Sequence, residues 1–167
     1  MRLSIADDAD AEALALLEQL RTEYPSSPYT DQAGLLTVIL YLQNQSTRQA
    51  IEALRFTLEN TADEYLALVA RTRLARLLVS AERHGEALAL LDGVEPGNFS
   101  ARFSEIRGDI YHAQGDRESA KTAYLQALNS DQSDLVDRGL IQMKLDDLAP
   151  PTAPLVEAEA PAEDDGA

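Results

Sequence analysis

Residues 108–127 read GDIYHAQGDRESAKTAYLQA, and this stretch decides the fold. Its markers are Gly108, Tyr111, Ala120, Tyr124 and Ala127. Thirty-three residues upstream the same slots hold Ala75, Leu78, Ala87, Leu91 and Val94. Thirty-seven before those stand Val38, Tyr41, Ala50, Leu54 and Thr57, and the second half recurs as Ala13, Leu17 and Leu20. Self-similarity at this period marks a helical solenoid. The small residues at 108 and 120 let two helices approach closely, while Tyr111 and Tyr124 fill the gaps beside them. A solenoid is a surface for holding something, so the pattern points to binding rather than catalysis.

Working outward, Asp10 is a fitting cap for a first helix reaching Tyr24, with Leu14, Leu17 and Leu20 as its apolar stripe. Pro25-Ser26-Ser27-Pro28 ends it. Helices are then expected from Thr30 to Asn44, from Ser46 or Thr47 to Asn60, and from Ala62 to Glu82. A short one after His84-Gly85 should stop at Gly93 to Gly97. Others are expected from Phe99 to Gln114 and from the Asp116 cap to Ser130. A last helix, capped near Ser133 and carrying Leu135, Leu140, Ile141, Leu145 and Leu148, reads as the C-terminal cap. The expected division is a flexible segment 1–9, a solenoid 10–148 and a disordered acidic Pro/Ala-rich tail 149–167. That tail holds four of the seven prolines and five acidic residues without a basic one, too little apolar surface to offset the entropy of ordering. The first helix matches the second helix of a pair, so the solenoid is expected to open on a truncated first repeat, with an apolar patch left near the N-terminus.

Composition narrows the function. The apolar fraction of 45% supports a core rich in Ala and Leu, with 5% aromatic residues and no Trp. A formal charge of −15 argues against nucleic acid and anionic membrane surfaces. The most apolar run, Leu35 to Leu42, is far short of the roughly 20 residues of a bilayer span. With no cysteine, two distant histidines (His84 and His112), and no phosphate loop or HExxH motif, catalysis and cofactors are not expected. Asp7-Asp8-Ala9-Asp10 lacks the spacing and Gly of a calcium loop and reads as helix-start chemistry.

The spacing from Gly108 to Ala127 resembles the tetratricopeptide repeat, with Arg107 and Ser104 departing from the family's Leu and Trp. The fold class is thus all-α, a tetratricopeptide-like helix–turn–helix solenoid with a C-terminal capping helix. Over roughly residues 9–148 the order of segments resembles the YfgM family, the ancillary subunit of the bacterial SecYEG translocon. The matching words are Arg73-Leu74-Ala75-Arg76, Ala87 to Asp92, Arg107-Gly108-Asp109, Gly115-Asp116, Ser119-Ala120, Ala123-Tyr124 and Gln142 to Leu148. The resemblance implies a non-enzymatic module on the periplasmic side of the inner membrane. It implies an N-terminal anchor that this sequence does not contain, with the SecYEG translocon and a PpiD-type periplasmic chaperone as partners. A self-associating scaffold and a soluble cytosolic regulatory adaptor are the alternatives.

Candidate contact residues follow from the face that the first helix of each pair turns to the concave side. On the fourth helix these are Thr72, Arg73, Arg76 and Ser80, within a stretch from Tyr65 to Ala81 that has no acidic residue. On the sixth they are Arg102, Glu105, Asp109 and His112, without the Lys and Asn clamp of chaperone-tail binders. Arg73, Arg76 and Arg102 are the candidates for docking an acidic segment or carboxylate. Alternatively they pair with acids such as Glu105 and Asp109. Leu35, Ile39 and Leu42 would either form an apolar groove for a partner helix or belong to the core.

Overall fold

The computed structural model describes residues 2–148, except the side chains of 2–9 and 134. Eight α-helices follow one another: α1 (Arg2–Glu23), α2 (Pro28–Gln43), α3 (Thr47–Asn60), α4 (Glu64–Ser80), α5 (His84–Leu91), α6 (Ser100–Ala113), α7 (Arg117–Asn129) and α8 (Arg138–Asp147). Short 3₁₀ turns at Gly97–Phe99 and Ser133–Leu135 precede α6 and α8. The all-α solenoid holds, with no strand among the described residues. The expected tail, residues 149–167, lies outside the described residues.

Pairing is sequential: α2 packs on α3, α4 on α5 and α6 on α7. The three intra-pair turns are one motif. In each, a backbone N–H reaches a carbonyl five residues back: Ser46 to Tyr41 at 2.7 Å, Arg83 to Leu78 at 2.8 Å and Asp116 to Tyr111 at 2.9 Å. This closure needs a left-handed residue one position earlier. Only the third turn uses glycine, Gly115 at φ 80°; Gln45 at 54° and Glu82 at 59° fill the other two. The repeat's geometry therefore overrides local backbone preference twice.

Close approach within pairs explains the small residues. A Cβ at Gly108 would lie 2.3 Å from the Tyr124 ring, and one at Gly34 would lie 2.6 Å from the Thr57 hydroxyl. Tyr124 is 1% exposed. One core runs from α2 to α6 through Val38, Leu54, Leu74, Leu78, Leu91, Phe103 and Ile106. A second joins α6, α7 and α8 through Ala101, Tyr124, Ala127, Val136 and Ile141.

Several boundaries differ from the sequence reading. Helix α1 is already helical at Arg2, so Asp10 lies inside it rather than capping it. Helix α4 starts at Glu64, where the Asp63 carboxylate accepts from the N–H groups of Tyr65 and Leu66. Leu135 is not on the last helix. The chain turns extended at Val136, and the Asp137 carboxylate caps α8 through the Leu140 N–H.

The packing makes a stability prediction. Gly108→Ala should cost about 1–3 kcal/mol, because overpacking against a buried ring outweighs the helix propensity gained. Gly85→Ala, whose Cβ would meet nothing within 4 Å, should be neutral or stabilising by up to about 1 kcal/mol. Urea denaturation midpoints of the two variants check this.

Candidate interaction groove

A cleft of about 510 Å³ opens between α4 and α6, lined by Tyr65, Val69, Thr72, Arg73, Arg76, Asn98, Phe99, Arg102 and Leu135. The structure brings together the three arginines expected from sequence, and among the described side chains no carboxylate lines this cleft. Helical spacing puts Val69, Arg73 and Arg76 on one face of α4. The 3₁₀ turn before α6 supplies Asn98 and Phe99, and the one before α8 supplies Leu135. Tyr65, 64% exposed, meets Phe99 edge-to-face at 5.4 Å between ring centroids. The cleft is thus cationic along its length and aromatic at one end.

The arginines are not equivalent. Arg76 pairs with Glu105 at 2.9 Å. That carboxylate is 6% exposed and also lies 3.4 Å from the Lys144 ammonium on α8. Lys144 reaches Asp109 at 2.7 Å, and Asp109 accepts the Tyr124 hydroxyl at 2.8 Å. Two cations and two carboxylates therefore compensate one another. Arg73 makes only a long 3.5 Å bond to the Leu35 carbonyl, and Arg102 donates to the Leu135 carbonyl. Among the described residues neither Arg73 nor Arg102 makes an ion pair. Pairing therefore accounts for Arg76 and leaves Arg73 and Arg102 as the surplus charge.

Thr72 lines the cleft as expected but is largely buried, its hydroxyl returned to the Leu68 and Val69 carbonyls at 3.0 and 2.9 Å. Arg71 turns away and donates to the Leu90 carbonyl at 2.6 Å; burial lowers the pKa of its guanidinium. Asp109 bonds Tyr124 and Lys144. Tyr65, Phe99 and Leu135 join the lining without being among the positions expected from sequence. Tyr65 and Phe99 were visible as rare aromatics beside helix starts, whereas Leu135 reaches the cleft only because the chain breaks at Val136.

The apolar trio separates as well. Leu35 is 8% exposed and sits in the first core, whereas Ile39 is 54% and Leu42 41% exposed. An apolar surface does exist between α1 and α2, but Leu16, Leu17, Leu20, Leu36, Ile39 and Leu40 form it. Leu36 replaces Leu35 there, one residue along a helix of 100° per residue.

This arrangement of paired helices and a concave cleft agrees with a match over residues 2–150 to the model of the tetratricopeptide repeat-like domain. The chain belongs to that family. This tetratricopeptide repeat-like domain is 34% identical over 138 residues, 83% of its length, to the ancillary SecYEG translocon subunit of Neisseria gonorrhoeae strain FA 1090, covering 66% of that protein. It is 28% identical over 109 residues, 65% of its length, to the ancillary SecYEG translocon subunit of Escherichia coli K12, covering 52% of it. The chain thus spans between half and two thirds of the length of these relatives. No solved structure matches it significantly. The domain's role is protein interaction rather than catalysis. No described helix is long and apolar enough to cross a membrane.

Tyr124 supplies the testable consequence of this site. Burial, then the hydrogen bond and negative charge of Asp109, push its phenol well above the ordinary range. A raised folded-state pKa stabilises below the unfolded value, near 10, and that contribution is lost as pH rises beyond it. Unfolding free energy should therefore fall steeply above about pH 10. Tyr124→Phe should cost about 1–2 kcal/mol near neutrality and flatten the alkaline fall, measured by urea titrations at stepped pH.

Proposed function

We propose that this domain is the interaction module of an ancillary SecYEG translocon subunit. It works at the periplasmic face of the inner membrane and links the translocon to periplasmic chaperones of the PpiD type. The cleft between α4 and α6 is its docking surface. The observation that carries the reading is the surplus charge of Arg73 and Arg102 beside exposed Tyr65 and half-buried Phe99, in a chain of charge −15. Guanidinium groups take carboxylates bidentately, and aromatic rings supply rigid apolar contact at modest entropic cost. An extended partner segment with an acidic residue beside an apolar one fits both. The relatives' names support the translocon part of the proposal.

The test is co-purification from membranes carrying the full gene product. Translocon and PpiD-type chaperone should be enriched over an anchor-only control; enrichment of neither overturns the reading. Arg73→Glu should reduce capture of the groove's partner by about tenfold, the cost of turning one charge-assisted contact repulsive. Arg76 is the wrong residue to reverse, since a glutamate there would face buried Glu105 and destabilise the fold itself.

A further inference from the structure

The groove has a ligand of the right chemistry in the same chain. Residues 155–165 read Leu-Val-Glu-Ala-Glu-Ala-Pro-Ala-Glu-Asp-Asp, with five carboxylates, no cation, and an apolar pair immediately before the first acid. The cleft offers the complement: Val69, Phe99 and Leu135 for the apolar pair, and Arg73 and Arg102 for the acids. We propose that this acidic segment docks in the α4–α6 cleft of its own chain and competes there with partner segments. The inference rests on the cleft being a docking surface, as proposed above.

Geometry permits it. Leu148, the last described residue, is 7% exposed, its side chain packed with α7 and α8 in the second core, so the point from which the segment departs is fixed. Four residues earlier, Lys144 contacts Glu105, which contacts Arg76 on the wall of the cleft. With a rise of 1.5 Å per residue and one side-chain length, α8 ends within about 20 Å of the cleft. Seven further residues to Leu155 span up to about 25 Å. Glu157 and Glu159 lie beyond that point and within reach of Arg73 and Arg102. A tether this short gives an effective concentration of millimolar order, so even weak contacts fill the site. The attraction is between partly exposed charges and falls with salt, whose screening length is about 10 Å at 0.1 M.

The sequence contains no cysteine, so Ala158→Cys gives a single attachment point for a spin label on the full chain. At low salt the label should broaden the NMR signals of Tyr65, Val69, Phe99 and Leu135 selectively. The broadening should disappear at about 0.5 M salt, where screening is short-ranged, and in the paired variant Arg73→Gln with Arg102→Gln. The salt arm uses the unaltered groove and stands even if the paired variant folds poorly. No broadening, or broadening spread evenly over the surface, overturns the proposal. So does broadening of unlabelled molecules mixed with labelled ones to the same degree, which assigns the contact to a second copy.

Partner capture separates this idea from the one it rests on. Neutralising Glu157, Glu159, Glu163, Asp164 and Asp165 to their amides should raise capture by about three- to tenfold, the loss of a tethered competitor. If Arg73→Glu abolishes capture but neutralisation leaves it unchanged, the groove binds partners and the tail proposal fails. If selective broadening is present but capture ignores Arg73→Glu, the tail docks and the partner reading fails.

Discussion

A buried carboxylate is costly unless it is paired, and Glu105 is the one that organises this molecule's concave side. It sits on α6 between Arg76 of α4 and Lys144 of α8, so α4, α6 and α8 are tied at one point. Lys144 continues the tie to Asp109, and Asp109 to the Tyr124 hydroxyl of α7. The chain of contacts sets where α8 lies, and α8 with its preceding turn closes one end of the cleft. It also decides which arginines are available. Arg76 is spent internally, while Arg73 and Arg102 are left facing the opening.

The polar tie works because the helices beneath it are held at close range. Gly108 lets α6 rest on the Tyr124 ring, and Gly34 lets α2 rest on Thr57. The same five-residue turn closure repeats in all three pairs, even where it forces Gln45 and Glu82 into the left-handed region. A repeat architecture transmits such requirements evenly: each pair must present the same angle to the next, so local preference yields to register. A non-glycine left-handed residue costs about 1–2 kcal/mol, which the stacked core more than offsets.

The two surfaces differ in kind. The α4–α6 cleft is cationic and aromatic, suited to an extended acidic segment. The surface between α1 and α2 is apolar, with Leu16, Leu36 and Ile39 more than half exposed. Contiguous exposed apolar faces commonly mark contact surfaces. Charge complementarity acts at a distance and sets which segments arrive, while apolar contact acts only after dehydration and sets how long they stay. A domain with both can be selective at one cleft and adhesive at the other.

Much was legible in the order of residues alone. The recurrence of Gly108, Tyr111, Ala120, Tyr124 and Ala127 fixes the helix pairs, because spacing on a 3.6-residue helix is a geometric statement that needs no partner. Asp116 as a cap and the gathering of Arg73, Arg76 and Arg102 on one side follow from the same arithmetic. What sequence does not carry is the relation between helices distant in the chain. Whether Arg76 is free or paired depends on Glu105, twenty-nine residues away. Leu35 rather than Leu36 faces inward because of how α2 rolls against α3. Leu135 lines the cleft because α8 begins only after an extended residue. Periodicity determined the elements; packing decided which charges cancel and which remain to bind, since a charge is neutralised by whatever the fold brings within about 4 Å of it.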